Sequence, residues 1–256
     1  MNRIDKLFKE KKSAISSVYF TAGYPAYNDT VPTIVELAAQ GIDMIEIGIP
    51  FSDPMADGPV IQHSGTVALS KGMTLKKLFG QLEGIRSKVD IPLVMMGYLN
   101  PVMQYGIENF CRSCAETGID GIIIPDLPFA DYIKNFKPVI QQYGLHCIML
   151  ITPETSEERI RLIDENTTGF IYMVSTASTT GAKESFDEKT IDYFKRVNAM
   201  GLQNPRMIGF GISNKATFDA ASMYAAGGII GSAFIRALGE SGSIKEAVKK
   251  LVEKIK

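Results

Sequence analysis

A helical stretch that ends in glycine and is followed at once by a short apolar run recurs along this chain of 256 residues. The clearest copies turn at Gly41 and Gly118, and weaker copies turn at Gly144, Gly169 and Gly227. Glycine just past a helix end adopts the left-handed conformation without a Cβ penalty, so each copy predicts a helix-to-strand junction. The apolar runs lack polar alternation, which is typical of parallel strands covered on both faces.

Three further apolar runs bring the number of candidate strands to about eight, with amphipathic segments between them. These runs are Val18–Ala22, Pro92–Met96 and Arg206–Gly209. Eight βα units in about 250 residues is the size of a (β/α)₈ barrel. A doubly wound open sheet is the structural rival, although no Gly-x-Gly-x-x-Gly opens a helix after the first strand. We predict a single barrel domain over residues 1–256, with an extra N-terminal helix and a short phosphate-binding helix after the eighth strand.

Composition narrows the class of protein. The chain carries 27 Lys+Arg against 28 Asp+Glu, so no excess of basic charge favours nucleic acid or an anionic membrane. No apolar run reaches the roughly 18 residues of a membrane span, and we expect no secretory signal. An odd number of cysteines, 3, fits a reducing compartment. The sequence is therefore typical of a cytoplasmic enzyme.

A glutamate stands inside the second candidate strand. Alternation of side chains puts Glu46 on the same face as Met44 and Gly48, which in a barrel is the dry interior near the catalytic end. Burying an unpaired carboxylate costs several kcal/mol unless it is protonated or partnered. Desolvation would raise its pKa and suit it to proton transfer near neutral pH, while the alternative is a structural glutamate in a buried network.

The loop that follows this strand carries two further carboxylates, Asp53 and Asp57. Its prolines, Pro50, Pro54 and Pro59, stiffen it by fixing φ. Either aspartate could present a carboxylate to a donor on a bound ligand. The alternative is an aspartate that makes a turn through its own backbone, which we favour for Asp53.

Glycine-rich turns follow the late strands, at Gly181, Gly211 and Gly231. Glycine lets the backbone approach an anion closely, and amides at a helix N-terminus favour negative charge. Barrels often build a phosphate site from the loops after strands seven and eight plus a short extra helix. Ser232–Arg236 is expected to supply that helix, with Ser232 near its N-cap.

Taken together, these segments resemble the tryptophan synthase α subunit family. The motifs that carry the resemblance are Tyr19–Pro25, Glu46–Pro59, Met96–Pro101, Pro125–Pro128 and Gly209–Ser213. They occur in the family's order and spacing over nearly the whole chain, and Pro-Phe-Ser-Asp-Pro-x-Ala-Asp-Gly-Pro is the most specific of them. The resemblance implies cleavage of indole-3-glycerol phosphate to indole and glyceraldehyde 3-phosphate, a retro-aldol reaction.

The resemblance also implies roles for single residues. Glu46 would be the acid/base that moves protons between the glycerol hydroxyl and indole C3, and Asp57 would bind the indole N–H. Tyr172 would help to position Glu46 and the substrate. The phosphate would be held by Gly181, Gly211, Gly231 and Ser232. The indole slot would be walled by Tyr19, Met96, Ile123 and Phe210, for each of which core packing is the alternative.

A partner follows from the same resemblance. Family members pair with a β subunit, which carries pyridoxal phosphate and consumes the indole, so an α₂β₂ heterotetramer is expected and no cofactor is expected in this chain. The Thr-rich loop 175–185 would act as a lid. This chain has Thr176-Ala177 where some members have arginine after the serine, which leaves lid closure and signalling between the subunits open.

Two other interpretations remain open at this stage. The chain could be another barrel enzyme that handles a phosphosugar with the same glycine loops, or a scaffold that binds phosphate and regulates a partner without catalysis.

Cys111 and Cys114 have the spacing of a zinc or redox pair, but they lie in a predicted helix without a second pair. We therefore predict no metal site.

Overall fold

The computed structural model describes residues 1–175 and 185–255. In these ranges nine parallel strands form one sheet. They are β1 (Ile15–Thr21), β2 (Met44–Gly48), β3 (Leu93–Met96), β4 (Gly121–Ile123), β5 (His146–Cys147), β6 (Met149–Ile151), β7 (Ile171–Val174), β8 (Arg206–Gly209) and β9 (Gly227–Ile230). Their order is β5-β4-β3-β2-β1-β9-β8-β7-β6. No helix within the described ranges is long and apolar enough to cross a membrane.

The sheet closes into a nearly complete barrel at residues 146–151. β5 pairs with β4, β6 pairs with β7, and Ile148 alone separates the two short strands. The Ile148 amide still donates to the Ile122 carbonyl at 3.0 Å, whereas the next amide, that of Met149, donates to the Thr167 hydroxyl at 3.0 Å. One predicted strand is therefore divided where it changes neighbours. The nine strands occupy eight positions, and the predicted α/β barrel is confirmed.

Helices surround this barrel, the first of them at one end of it. They are α1 (Arg3–Glu10), α2 (Thr30–Ala39), α3 (Pro59–Ser70), α4 (Leu75–Leu82), α5 (Leu99–Tyr105), α6 (Ile107–Glu116), α7 (Phe129–Asp131), α8 (Lys137–Gln142), α9 (Glu157–Asn166), α10 (Glu188–Ala199), α11 (Lys215–Tyr224), α12 (Ser232–Glu240) and α13 (Ile244–Ile255). A π-helical turn, Tyr132–Phe136, joins α7 to α8. An outer apolar layer lies between helices and strands, and a separate cluster fills the barrel interior.

The glycine pattern behaves as predicted at four of its five copies. Gly41, Gly118, Gly144 and Gly169 have positive φ between 68° and 84°. Gly227 is different, because it begins β9 and a Cβ there would stand 1.9 Å from the carbonyl oxygen of Ile15. The interpretation of Gly227 as a helix cap was wrong. It is glycine because β9 and β1 approach too closely for a side chain.

The N-terminal helix closes the end of the barrel opposite to the βα loops. Ile4 and Phe8 of α1 are buried in the interior cluster, and the rings of Phe8 and Phe170 lie 5.8 Å apart. Arg3 of the same helix forms an ion pair at 3.1 Å with Asp120, a buried carboxylate that also pairs with Arg86. α1 thus closes this end of the interior. A site can open only at the other end, the mouth of the barrel, where the βα loops begin.

We expect Ile4→Ala to lower the free energy of unfolding by roughly 2–5 kcal/mol, because it opens a cavity among fully buried neighbours. Ile133→Ala removes the same atoms from a side chain that is 38% exposed and should cost less than about 1 kcal/mol. Urea denaturation of both variants makes the comparison. Equal losses would contradict the role of α1 as the floor of the interior.

Candidate active site

Glu46 lies in the barrel interior, between Met44 and Gly48 on the inward face of β2, and is completely buried. Its Oε1 accepts a hydrogen bond of 3.0 Å from the Ser17 hydroxyl on β1. Its Oε2 is buried and has no hydrogen-bond partner among the described residues. The carboxyl group therefore sits in an apolar interior with a single donor.

Burial raises the pKa of Glu46 to about 8, and the hydrogen bond from Ser17 opposes that rise. The physical cause is the loss of hydration, which penalises the carboxylate and leaves the neutral acid almost unaffected. Glu46 is consequently protonated at neutral pH. Its pKa lies close to working pH, as proton transfer in either direction requires.

The side chains of two tyrosines lie directly over glycines of neighbouring strands. A Cβ on Gly48 of β2 would lie 2.2 Å from the hydroxyl oxygen of Tyr19, and a Cβ on Gly209 of β8 would lie 2.2 Å from that of Tyr172. Only glycine leaves room for these phenol rings. Burial raises the pKa of both phenols, and the nearby charge of Asp57 adds to the rise, so both hydroxyls stay neutral near pH 7.

Asp57 is held on the loop between β2 and α3. The Tyr98 hydroxyl donates to Asp57 Oδ2 at 3.0 Å and accepts from the Ala56 amide at 3.0 Å. Burial raises the pKa of Asp57, and the hydrogen bond from Tyr98 opposes that rise. Asp53, by contrast, is exposed, and its carboxylate accepts a hydrogen bond from the hydroxyl of the adjacent Ser52.

A cleft opens at the mouth of the barrel. It brings together eight of the residues predicted for the site: Tyr19, Asp57, Met96, Tyr172, Phe210, Gly211, Gly231 and Ser232. Its remaining walls are Ile61, Ile212, Ile229 and Ala233, which the sequence interpretation did not include. The cleft has an aspartate on one side and a helix N-terminus on another, with apolar walls between them.

Of the other three predicted site residues, two lie elsewhere among the described residues and the third is not described. Glu46 does not line the cleft, although it lies near Tyr19 and Tyr172, which do. Ile123 is fully buried on β4 and packs in the interior cluster, so the structure gives it a core position. Gly181 lies outside the described residues, and so does Thr176-Ala177, with the rest of the predicted lid over residues 176–184.

The end of the cleft predicted to hold phosphate is built from backbone. α12 begins at Ser232 and has Gly231 as its N-cap, so Ser232 lies next to the cap, as predicted. The first amides of a helix have no acceptor within it and can donate to an anion. Phe210 and Gly211 both have positive φ, 68° and 79°. For phenylalanine this is a strained conformation, which the Ser175 hydroxyl supports by donating to the Phe210 carbonyl at 2.6 Å.

Two polar residues of the site were missed from the sequence. Tyr98 lies within the motif Met96–Pro101, but nothing in that motif indicates that its hydroxyl reaches Asp57. Ser17 offered one signal, since it is polar and shares the inward face of β1 with Tyr19. Cys111 and Cys114 are buried in α6, and no group of His, Cys, Asp or Glu in the described ranges could hold a metal ion.

A barrel sealed at one end, with a buried protonated carboxyl group below an apolar cleft at the other, defines a (β/α)₈ enzyme that uses acid–base chemistry. The family model described as "Tryptophan synthase alpha chain" matches residues 5–256. The chain belongs to this family. The resemblance stated from the motifs and the expected class of enzyme are both confirmed.

Individual relatives match this chain over nearly the whole length of both proteins. A Parabacteroides distasonis protein named tryptophan synthase alpha chain is 62% identical over 256 residues, with 100% of each chain covered. A structure of Mycobacterium tuberculosis tryptophan synthase matches with a TM-score of 0.89 at 30% identity, over 99% of this chain and 98% of that one. Tryptophan synthase subunit alpha from Legionella pneumophila gives a TM-score of 0.87 at 34% identity, over 98% and 96%.

The raised pKa of Glu46 predicts a pH-dependent stability. The folded protein holds this proton up to about pH 8, whereas the unfolded chain releases it near 4.5. Stability should therefore fall as pH rises from 4.5 to 8, by at most about 1.4 kcal/mol per pH unit from this group. Glu46→Gln removes this titration. Its melting temperature, relative to that of wild type, should therefore rise as the pH increases from 4.5 to 8.

Thermal melts at pH 5, 6.5 and 8 measure this difference. Glu253→Gln, which changes a side chain that is 63% exposed, serves as the matched control and should follow wild type at each pH. A constant offset between Glu46→Gln and wild type would show that Glu46 is ionised throughout, contrary to the burial argument.

Proposed function

We propose that this chain catalyses the retro-aldol cleavage of indole-3-glycerol phosphate to indole and glyceraldehyde 3-phosphate. The observation that carries the proposal is the buried Glu46, protonated at neutral pH, beside a cleft that joins a carboxylate to a helix N-terminus. Family membership supports the same reaction. Each part of the substrate then has a counterpart in the cleft.

Glu46 acts first as an acid and then as a base. It gives its proton to C3 of the indole, which becomes tetrahedral while positive charge develops on the ring nitrogen. The resulting carboxylate takes the proton of the glycerol hydroxyl next to C3. The carbon–carbon bond then breaks, its electron pair returns to the ring, and the hydroxyl carbon becomes the aldehyde carbon. Glu46 ends protonated as it began, so the step balances without another reagent.

Asp57 stabilises the charge that forms on the ring. An ionised carboxylate that accepts the indole N–H interacts more strongly once the nitrogen becomes positive, so its effect is larger in the transition state than in the ground state. The hydrogen bond from Tyr98 keeps Asp57 in place and favours its ionised form. The proposed reaction requires the two carboxyl groups to begin in opposite protonation states, Glu46 neutral and Asp57 ionised.

The backbone around Gly211, Gly231 and Ser232 holds the phosphate. Residues 210 and 211, which have positive φ, and the first turn of α12 line the cleft, and they support this assignment because backbone of these two kinds can donate amides to an anion. Gly181 stays a predicted member of this group. Tyr19, Met96 and Phe210 wall the indole, while the buried position of Ile123 supports core packing for that residue.

A β subunit is the proposed partner. It would take the indole and would carry the pyridoxal phosphate, and an α₂β₂ assembly is proposed on the ground of family membership. Exposed apolar side chains at the mouth support a docking surface there: Met55, in the loop after β2, is 90% exposed and Met103 on α5 is 56% exposed. A cytoplasmic location is proposed in the same way and is supported by three free, buried cysteines.

Glu46→Gln and Asp57→Asn should each lower the turnover of indole-3-glycerol phosphate by a factor on the order of 100 or more, because each removes a group that acts in the transition state. Indole release from purified protein, with and without a β subunit, measures this. A control variant, Asp53→Asn on the same loop, should keep most of the activity. Absence of indole from wild type under both conditions would reject the proposed function.

The docking surface has its own test. Met55→Lys should weaken the association with a β subunit, because it places a charge in the centre of an apolar contact. Met223→Lys alters a methionine that is 71% exposed on α11 and should leave the association unchanged. Sedimentation velocity of each variant mixed with the β subunit compares them, and equal binding would place the interface elsewhere.

A further inference from the structure

Ser17 provides the single hydrogen bond that Glu46 receives within the described ranges. Ser17 is fully buried on β1, two residues before Tyr19 and on the same inward face. Its hydroxyl lies 3.0 Å from Glu46 Oε1, while Oε2 has no partner in that part of the chain. Ser17 does not line the cleft. Whatever it does to the reaction therefore passes through Glu46.

Few other groups act on this carboxyl. The titratable side chains that face it are Tyr19 from β1 and Tyr172 from β7, and burial keeps both phenols neutral. In the described part of the chain, burial and the Ser17 hydroxyl are the two influences on the pKa of Glu46. Within residues 1–175 and 185–255 no cation pairs with the carboxylate, and one neutral hydroxyl is its hydrogen-bond donor.

The value of that donor changes during the reaction proposed above, on which this inference rests. When Glu46 gives its proton to C3 it becomes a carboxylate in a dry interior. A hydroxyl that donates to a carboxylate forms a charge-assisted bond, roughly twice as strong as one to a neutral acid. We propose that Ser17 is a positioning residue for the reaction: its hydroxyl orients the Glu46 carboxyl group and stabilises the carboxylate that forms when the proton leaves.

The neighbouring serine offers a matched control. Ser16 is also buried and also donates to a carboxylate, Asp43 Oδ2 at 2.9 Å, but alternation puts it on the opposite face of β1. Ser16→Ala and Ser17→Ala thus remove the same atom from adjacent positions of one strand. A purely structural serine at position 17 would make the two variants alike in kinetics.

The kinetic test uses Ser17→Ala, Ser17→Thr and Ser16→Ala. For Ser17→Ala we expect kcat to fall roughly ten-fold with KM unchanged, because a bond to a developing charge is lost and no substrate contact is. The alkaline limb of its kcat/KM profile should move up by roughly one pH unit, since the carboxylate has lost its donor. Ser17→Thr restores a hydroxyl and should recover both, and Ser16→Ala should change neither.

A second measurement does not depend on turnover. ¹³C NMR of protein labelled at the glutamate carboxyl carbons follows the titration of Glu46, whose signal is identified by its loss in Glu46→Gln. The midpoint should be higher in Ser17→Ala than in wild type and in Ser16→Ala. An unchanged midpoint, or an unchanged kcat in folded Ser17→Ala, would overturn the inference. If wild type released no indole while the midpoint still moved, the proposed function would fail and the control of Glu46 by Ser17 would stand.

Discussion

One carboxyl group that has no counter-ion among the described residues, buried inside a nearly closed barrel, is the constraint on which the other features of the site depend. Ionised, Glu46 would cost several kcal/mol in an interior lined by Met44, Val94 and Ile123, so it stays protonated. A cation beside it would remove that cost and also make it a poor acid. Within the described residues the interior instead supplies one hydroxyl donor. It lowers the cost of ionising Glu46 but leaves the group protonated at neutral pH.

Space around this group is created by the absence of side chains. Gly48 and Gly209 let the rings of Tyr19 and Tyr172 lie across neighbouring strands, so that two neutral phenols close in on the carboxyl group and also line the cleft. At the opposite end α1 fills the barrel with Ile4 and Phe8. Water is therefore excluded from below, and the substrate must approach through the mouth, where the remaining polar groups are concentrated.

Periodicity and glycine placement were enough to predict the barrel, because they report which face of a segment is covered. They failed at Gly227, whose role depends on the approach of another strand, and they did not show that residues 146–151 change neighbours midway. In the site, the motifs pointed to Asp57 and the glycine turns. They could not reveal that Tyr98 holds Asp57 or that Ile123 is buried in the interior cluster and does not line the cleft, because contacts between neighbouring strands and loops are not encoded by a pattern along one segment.

Transfer of a proton from Glu46 to carbon is the central claim, and exchange of the C3 hydrogen of indole in D₂O tests it most directly. With glycerol 3-phosphate present to occupy the phosphate end, ¹H NMR follows the loss of the C3 signal without any bond cleavage. Wild type should accelerate this exchange well above the rate in buffer, and Glu46→Gln should reduce it to the buffer rate. Equal exchange in the two proteins would contradict the account, because the proton at carbon would then come from another group.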